Sequence, residues 1–289
     1  MTTHIHKLAI FGVGLIGGSV ALALKQAAAV GEVVGMGRSR ANLDAALKLG
    51  IIDRIATTTA EAMQGTDVVL LAVPVGQMAA LMREIEPHMG IATIITDAGS
   101  TKQNVAEMMQ AHLAAHLKNC VPGHPIAGAE TCGALAARVD LYQGKNVILT
   151  PLPQSDISAV AKVRGLWQAC GAKLSEMSST QHDAIFATVS HLPHLLAYTL
   201  VDMIARRGNA DTLFDFAASG FRDFTRIAAS SPEMWRDIAL ANRPALLTEI
   251  EQYQASLEQL REMLATEDAA ALEAMFKRAQ TARVCWSGK

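Results

Sequence analysis

The sequence predicts an α/β protein with a Rossmann-like, doubly wound N-terminal domain (residues 1–176) and an all-α domain after it (177–289). Three observations carry that prediction. Short β-rich runs alternate with segments of helical period up to about residue 150, a glycine loop follows the first run directly, and no strand pattern survives beyond about residue 176. Of the 289 residues 51% are hydrophobic and 18% charged, enough for a sizeable core, and the 4% share of aromatics makes that core aliphatic. A net charge of −2 without blocks of like charge excludes the electrostatic footprint of a nucleic-acid binder.

The expected strands are residues 7–11, 33–36, 68–73, 93–96 and 147–149, apolar on both faces and separated by helices, the pattern of a covered parallel sheet. The first runs into Gly12-Val13-Gly14-Leu15-Ile16-Gly17 and then an alanine-rich helix, so the loop G-x-G-x-x-G stands between strand and helix as dinucleotide binding requires. Gly12 permits the tight turn, Gly14 lets a pyrophosphate approach the backbone, and Gly17 lets helix and strand pack, with Leu15 and Ile16 supplying amides at the helix N-terminus. An acid that would bond the ribose 2′-hydroxyl of NAD is missing at the end of the second strand, where Arg38, Ser39 and Arg40 stand instead. A guanidinium and a hydroxyl suit a 2′-phosphate, so NADP is the expected cofactor, with NAD as the alternative if both arginines face water. The stretch from Leu8 to Leu24 is uncharged, but its four glycines and the lack of a basic leader argue against a signal peptide or membrane span. Scattered Cys120, Cys132, Cys170 and Cys285 read as reduced thiols in the cytoplasm.

Ser100, just past the fourth strand, and His124, held between glycine and proline, fall where strand ends open onto a nicotinamide. Oxidising an alcohol needs a base for the hydroxyl proton, and histidine titrates near neutral pH. In the helical half the run Ser190 to His194 places two imidazoles, His191 and His194, three apart on one helix face; with His182 and Asp183 nearby a metal is conceivable, yet the ligand spacing is wrong for one, and none is expected. Arg222 and Arg226 flank Asp223, and an arginine there is either a clamp for a substrate carboxylate or half of a local Asp223–Arg226 ion pair. Ser231, Pro232 and Glu233 spell a helix start. Leu246, Ile250, Tyr253, Leu257, Leu260 and Leu264 then draw one apolar stripe, for packing inside a subunit or across a two-fold axis; the thinness of the helical part favours a homodimer.

Together, D-x-G-S-x-K (97–102), G-H-P-x-A-G (123–128), Q-H-D (181–183), S-H-L-P-H (190–194), G-F-R-D-x-T-R-I-A (220–228) and P-x-M-W-x-D-I (232–238) resemble the prephenate and arogenate dehydrogenase family of tyrosine biosynthesis. The resemblance implies oxidative decarboxylation of a cyclohexadienyl acid with hydride transfer to NAD(P)+. It makes His124 the acceptor of the ring-hydroxyl proton, Ser100 its orienting partner and Arg226 the carboxylate clamp. It sets His194, His191 and Ser190 against the substrate side chain, has Trp235 close a partner's pocket in a homodimer, and makes Glu130 and Asp223 polar contacts at the mouth. The chain reads as the catalytic core alone, so inhibition by tyrosine would act at the active site.

Two rival readings are weaker. A β-hydroxyacid dehydrogenase resembles a pattern with a catalytic lysine in the helical part, and no lysine lies between Lys173 and Lys277. A non-catalytic NADP-sensing protein would not need Ser100, His124 and Arg226 together.

Overall fold

In the computed structural model, which describes residues 4–128 and 131–286, the chain begins with β1 (Ile5–Phe11), whose side chains alternate between two covered faces. Leu8 and Ile10 pack toward one core with Val20, Leu24 and Trp167, and Ala9 and Phe11 toward another with Met78, Met82, Val105 and Met109. Burial on both faces is why the run lacks the polar alternation of a half-exposed strand. β2 (Val30–Met36), β3 (Arg54–Ile55), β4 (Val68–Leu71), β5 (Ile94–Asp97) and β6 (Cys120–Val121) complete a parallel sheet in the order β3-β2-β1-β4-β5-β6. Between them run α1 (Leu15–Gln26), α2 (Arg40–Lys48), α3 (Thr59–Met63), α4 (Val75–Ile85) and α5 (Gln103–His112). The order reverses between β1 and β4, and in such sheets the crevice beyond the strand ends at that reversal takes the ligand.

One part of the expected sheet lies elsewhere. Residues 147–149 do form a strand, but in a second sheet of β7 (Gly123–Pro125), β8 (Asn146–Leu149) and β9 (Lys173–Glu176), with β7 antiparallel and β9 parallel to β8. The cause is Pro122. It has no N–H for the first sheet, its carbonyl accepts from Thr150 N at 3.0 Å, and the chain changes sheets there. α6 (Ile157–Ala169), capped by Asp156, carries the chain from β8 to β9.

The glycine loop is fixed by close approach. Gly12 has φ +100°, and a Cβ on it would lie 2.4 Å from the Ala72 carbonyl oxygen; one on Gly17 would lie 2.4 Å from that of Gly12. Neither position admits a side chain without moving backbone.

The helices that follow are α7 (Ser179–Phe186), α8 (Leu192–Ala205), α9 (Ala210–Asp215), α10 (Ser219–Thr225), α11 (Pro232–Ala241), α12 (Arg243–Ala265) and α13 (Ala269–Cys285). A π turn, Ala187–His191, joins α7 to α8 just before Pro193, which cannot donate to the preceding turn. The continuous helix Ser179–Ala205 is long and apolar enough to cross a membrane, with a mean hydropathy of 1.4. Its buried His182, Asp183 and His191 are hydrogen-bonded within the fold.

Two compact units result, Met1–Arg243 and Pro244–Lys289, so α7 to α11 group with the sheets. In the second unit α12 and α13 meet at a turn where Glu267 has φ +52° and Asp268 caps α13 through Ala271 N at 2.9 Å. Of the expected stripe on α12, Leu246 is buried, Ile250 and Leu260 are half-buried, and Tyr253, Leu257 and Leu264 are exposed.

Candidate active site

At the sheet's reversal point a cavity of about 450 Å³ opens between the glycine loop and the ends of β4, β5 and β7. Gly14, Leu15 and Ile16 line it, as do Ser100 and His124, with Ser230, Ser231, Met234 and Ile238 on the side of α11. Gly14 caps α1 without a side-chain bond, and the first turn carries no acid, so the helix amides are presented to an anion. A Cβ on Gly14 would meet only Gly133 N, at 4.0 Å, and would fill that cradle. The residues present therefore fit a dinucleotide pyrophosphate.

Two polar clusters fix the chemical end of the cavity. The first is at the β5 terminus, where Asp97 and Lys102 form an ion pair with neither side chain exposed. Asp97 also accepts from Gly99 N at 2.7 Å and from Gly123 N at 3.1 Å, which ties the Ser100 loop to the strand carrying His124. Burial lowers the Lys102 pKa, an effect that the adjoining Asp97 opposes. Removing one partner of such a pair would leave the other buried and uncompensated.

The second cluster contains His124 itself, which is 9% exposed. Its Nδ1 lies 2.8 Å from His182 Nε2, and His182 Nδ1 lies 2.7 Å from Asp183 Oδ1. Asp183 accepts from Lys102 N at 2.8 Å and Gln103 N at 2.9 Å, the amides where α5 begins. Phe186 packs edge-on against His124, with ring centroids 4.9 Å apart. Burial first, then the neighbouring His182, Lys102 and His191, holds the His124 pKa well below its ordinary value. The imidazole is thereby neutral near pH 7, the form that can accept a proton.

Comparison with known proteins identifies the family. Residues 20–176 match the family described as prephenate dehydrogenase, nucleotide-binding domain, and residues 178–278 match its dimerization domain. Cyclohexadienyl dehydrogenase of Zymomonas mobilis is 37% identical over 98% of this chain and 97% of its own. Prephenate dehydrogenase of Bacillus subtilis is 38% identical over 94% of this chain and 74% of its own. Among solved structures, prephenate dehydrogenase from Aquifex aeolicus in complex with hydroxyphenyl propionate and NAD+ superposes with a TM-score of 0.92, at 34% identity, covering 98% of this chain and 99% of that one. The chain belongs to the prephenate dehydrogenase family.

In this prephenate dehydrogenase family member the other expected site residues are placed unequally. His194 is half-buried and stacks on Trp235, with centroids 3.7 Å apart and planes at 20°, while its Nδ1 donates to the Ser190 carbonyl at 2.8 Å. Burial, with Arg226 adding to the effect, lowers its pKa. Trp235, expected to close a partner's pocket, is buried within its own chain by this stack. His191, expected to meet the substrate, is 1% exposed; its Nδ1 faces Asn242 Nδ2 at 3.0 Å, and burial pushes its pKa down to about 4. Neither histidine nor Ser190 lines the cavity. Arg226 and Asp223 are exposed, on the turn after α10 and on α10 itself. Glu130 lies outside the described residues.

On the cofactor side Ser39 caps α2 through Asn42 N at 3.3 Å, Arg40 pairs with Asp44 at 2.9 Å, and Arg38 is exposed. The sequence pattern pointed to His182 and Asp183 only as conceivable metal ligands and gave Asp97 and Asn242 no role. It also missed Ser230, which Tyr198 holds by a 2.6 Å bond to its carbonyl. The motifs D-x-G-S-x-K and Q-H-D contained the first three, but only the fold brings them to His124. Among the described residues no group of three or more His, Cys, Asp or Glu is arranged to hold a metal.

Proposed function

We propose that the protein catalyses oxidative decarboxylation of prephenate, arogenate or both, giving 4-hydroxyphenylpyruvate or tyrosine with hydride transfer to NADP+ or NAD+. The observation that carries this reading is the single cavity in which the glycine loop meets Ser100 and His124. In it the Nε2 of His124 takes the proton of the ring hydroxyl while Ser100 orients that hydroxyl. Gly14, Leu15 and Ile16 would hold the dinucleotide, which would supply the acceptor for the hydride of the same carbon. The ring carboxylate leaves as carbon dioxide, its bonding electrons enter the ring, and aromatisation drives the step. Arg226 holds the carboxylate beforehand and acts by position, since a tighter grip on the ground state would oppose its departure. His194, stacked on Trp235 outside the cavity lining, is assigned to the substrate side chain by the family resemblance.

NADP is the proposed preference, carried by Arg38 and by the lack of an acid after β2. NAD is the second reading. Two observations favour it: Ser39 and Arg40 already have partners within α2, and the Aquifex relative holds NAD+. A homodimer through the helical part, divided from the cofactor part at residue 176, is supported by the match to a dimerization domain and by exposed Leu257, Leu264 and Phe276. Tyrosine, resembling the substrate, would inhibit by competing for this cavity.

The test is a four-way assay that follows reduced-cofactor absorbance with prephenate and arogenate, each with NADP+ and NAD+. Turnover with either acid is expected, faster with NADP+. Silence in all four combinations, with cofactor binding intact, would overturn the reading, and a clear NAD+ preference would overturn the cofactor assignment.

A further inference from the structure

The chain of contacts behind His124 has a direction. Both carboxylate oxygens of Asp183 accept backbone N–H groups, Oδ1 from Lys102 at 2.8 Å and Oδ2 from Gln103 at 2.9 Å. What they offer His182 is a further lone pair, so His182 Nδ1, 2.7 Å from Oδ1, is the donor. Neutral imidazole carries one N–H, and His182 Nε2 is therefore an acceptor. It sits 2.8 Å from His124 Nδ1, which must then bear the proton. The amides that set this direction belong to the start of α5, a ten-residue helix, and Lys102, Asp183, His182 and His124 are all buried.

We infer that His182 and Asp183 are positioning residues that hold His124 as its Nδ1–H tautomer, leaving the Nε2 lone pair to the cavity. The inference rests on the reading of His124 as the base and adds the device that makes it one. In the opposite tautomer Nε2 would carry a hydrogen and could not accept the hydroxyl proton. As His124 becomes imidazolium, its Nδ1–H bond to His182 persists, and the Asp183 carboxylate stabilises the charge through the intervening ring. Phe186, packed on both rings with centroids 4.9 and 4.5 Å away, keeps water from competing for these bonds.

Two properties of the full-length protein test this. Nitrogen-15 NMR of the labelled wild type should show the His124 proton on Nδ1; a proton on Nε2 would overturn the inference and needs no variant. His182→Phe removes the acceptor at similar size. It should lower kcat roughly 10- to 100-fold, with KM and cofactor affinity nearly unchanged, and move the His124 proton to Nε2. His182→Gln, whose carbonyl oxygen can accept, should recover part of the loss. Full turnover in His182→Phe, with His124→Asn inactive, would overturn the positioning role while leaving the base in place. Full turnover in His124→Asn would instead remove the base itself and the inference with it.

Discussion

His124 and Arg226 are assigned to opposite tasks in one reaction, and the protein around them differs accordingly. His124 lies on a buried strand, backed by His182, Asp183 and the first amides of α5. Arg226 opens a four-residue 3₁₀ turn and is exposed, as is Asp223 on the short α10 before it. Bonds that the fold itself makes hold the first region in place before any substrate arrives, as the proposed proton transfer requires. The second, proposed to recognise the substrate, lies instead on exposed residues of a short helix and turn. Changes in the first should therefore alter kcat, and changes in the second should alter KM.

The largest expected effect breaks the first region. His124→Asn should lower kcat by about 10² to 10⁴, the usual contribution of a general base, with cofactor affinity retained in a fluorescence titration. A turnover number equal to wild type would dissolve the distinction.

The next effect concerns stability, because the first region buries neutral histidines. The pKa of His191 in the folded protein, about 4, lies below its ordinary value of 6.5, so the unfolded chain takes up the proton first as the pH falls. Its contribution is fully present above about pH 6.5 and is lost as the pH drops through about 4, a change on the order of 3 kcal/mol. His124, His182 and His194 are lowered too and act in the same direction. Urea unfolding across this window should show the loss, and a flat profile would contradict the burial of these rings.

The smaller effect sharpens the second region. Arg226→Ala should raise KM for the acid by roughly 10- to 100-fold, as for loss of a hydrogen bond between charged groups, with a lesser change in kcat. An unaltered KM would remove Arg226 from recognition.

Much of the first region could be read from the sequence, because its features are local. Gly12 to Gly17 and Ser100 each follow a strand whose end is marked by composition, His124 stands between a glycine and a proline, and the strand order then brings them together. The exchange of sheets at Pro122 was hidden, since a run such as 147–149 looks the same in either sheet. The links from His124 to His182 and from Lys102 to Asp183 span 58 and 81 residues, and no periodicity encodes them. Helix phase misleads as well. Nine residues of regular helix would turn His191 about 180° from His182, and the extra residue of the π turn brings it back to about 80°. The burial of His191 and the stack of His194 on Trp235 follow from packing of that helix, and so appear only in three dimensions.

The proposed reaction couples hydride transfer to loss of carbon dioxide. It is tested most directly by measuring carbon dioxide and reduced cofactor together during turnover of the preferred acid. Equal amounts are predicted at every time point. Reduced cofactor without carbon dioxide would mean a simple alcohol dehydrogenation and would contradict the account.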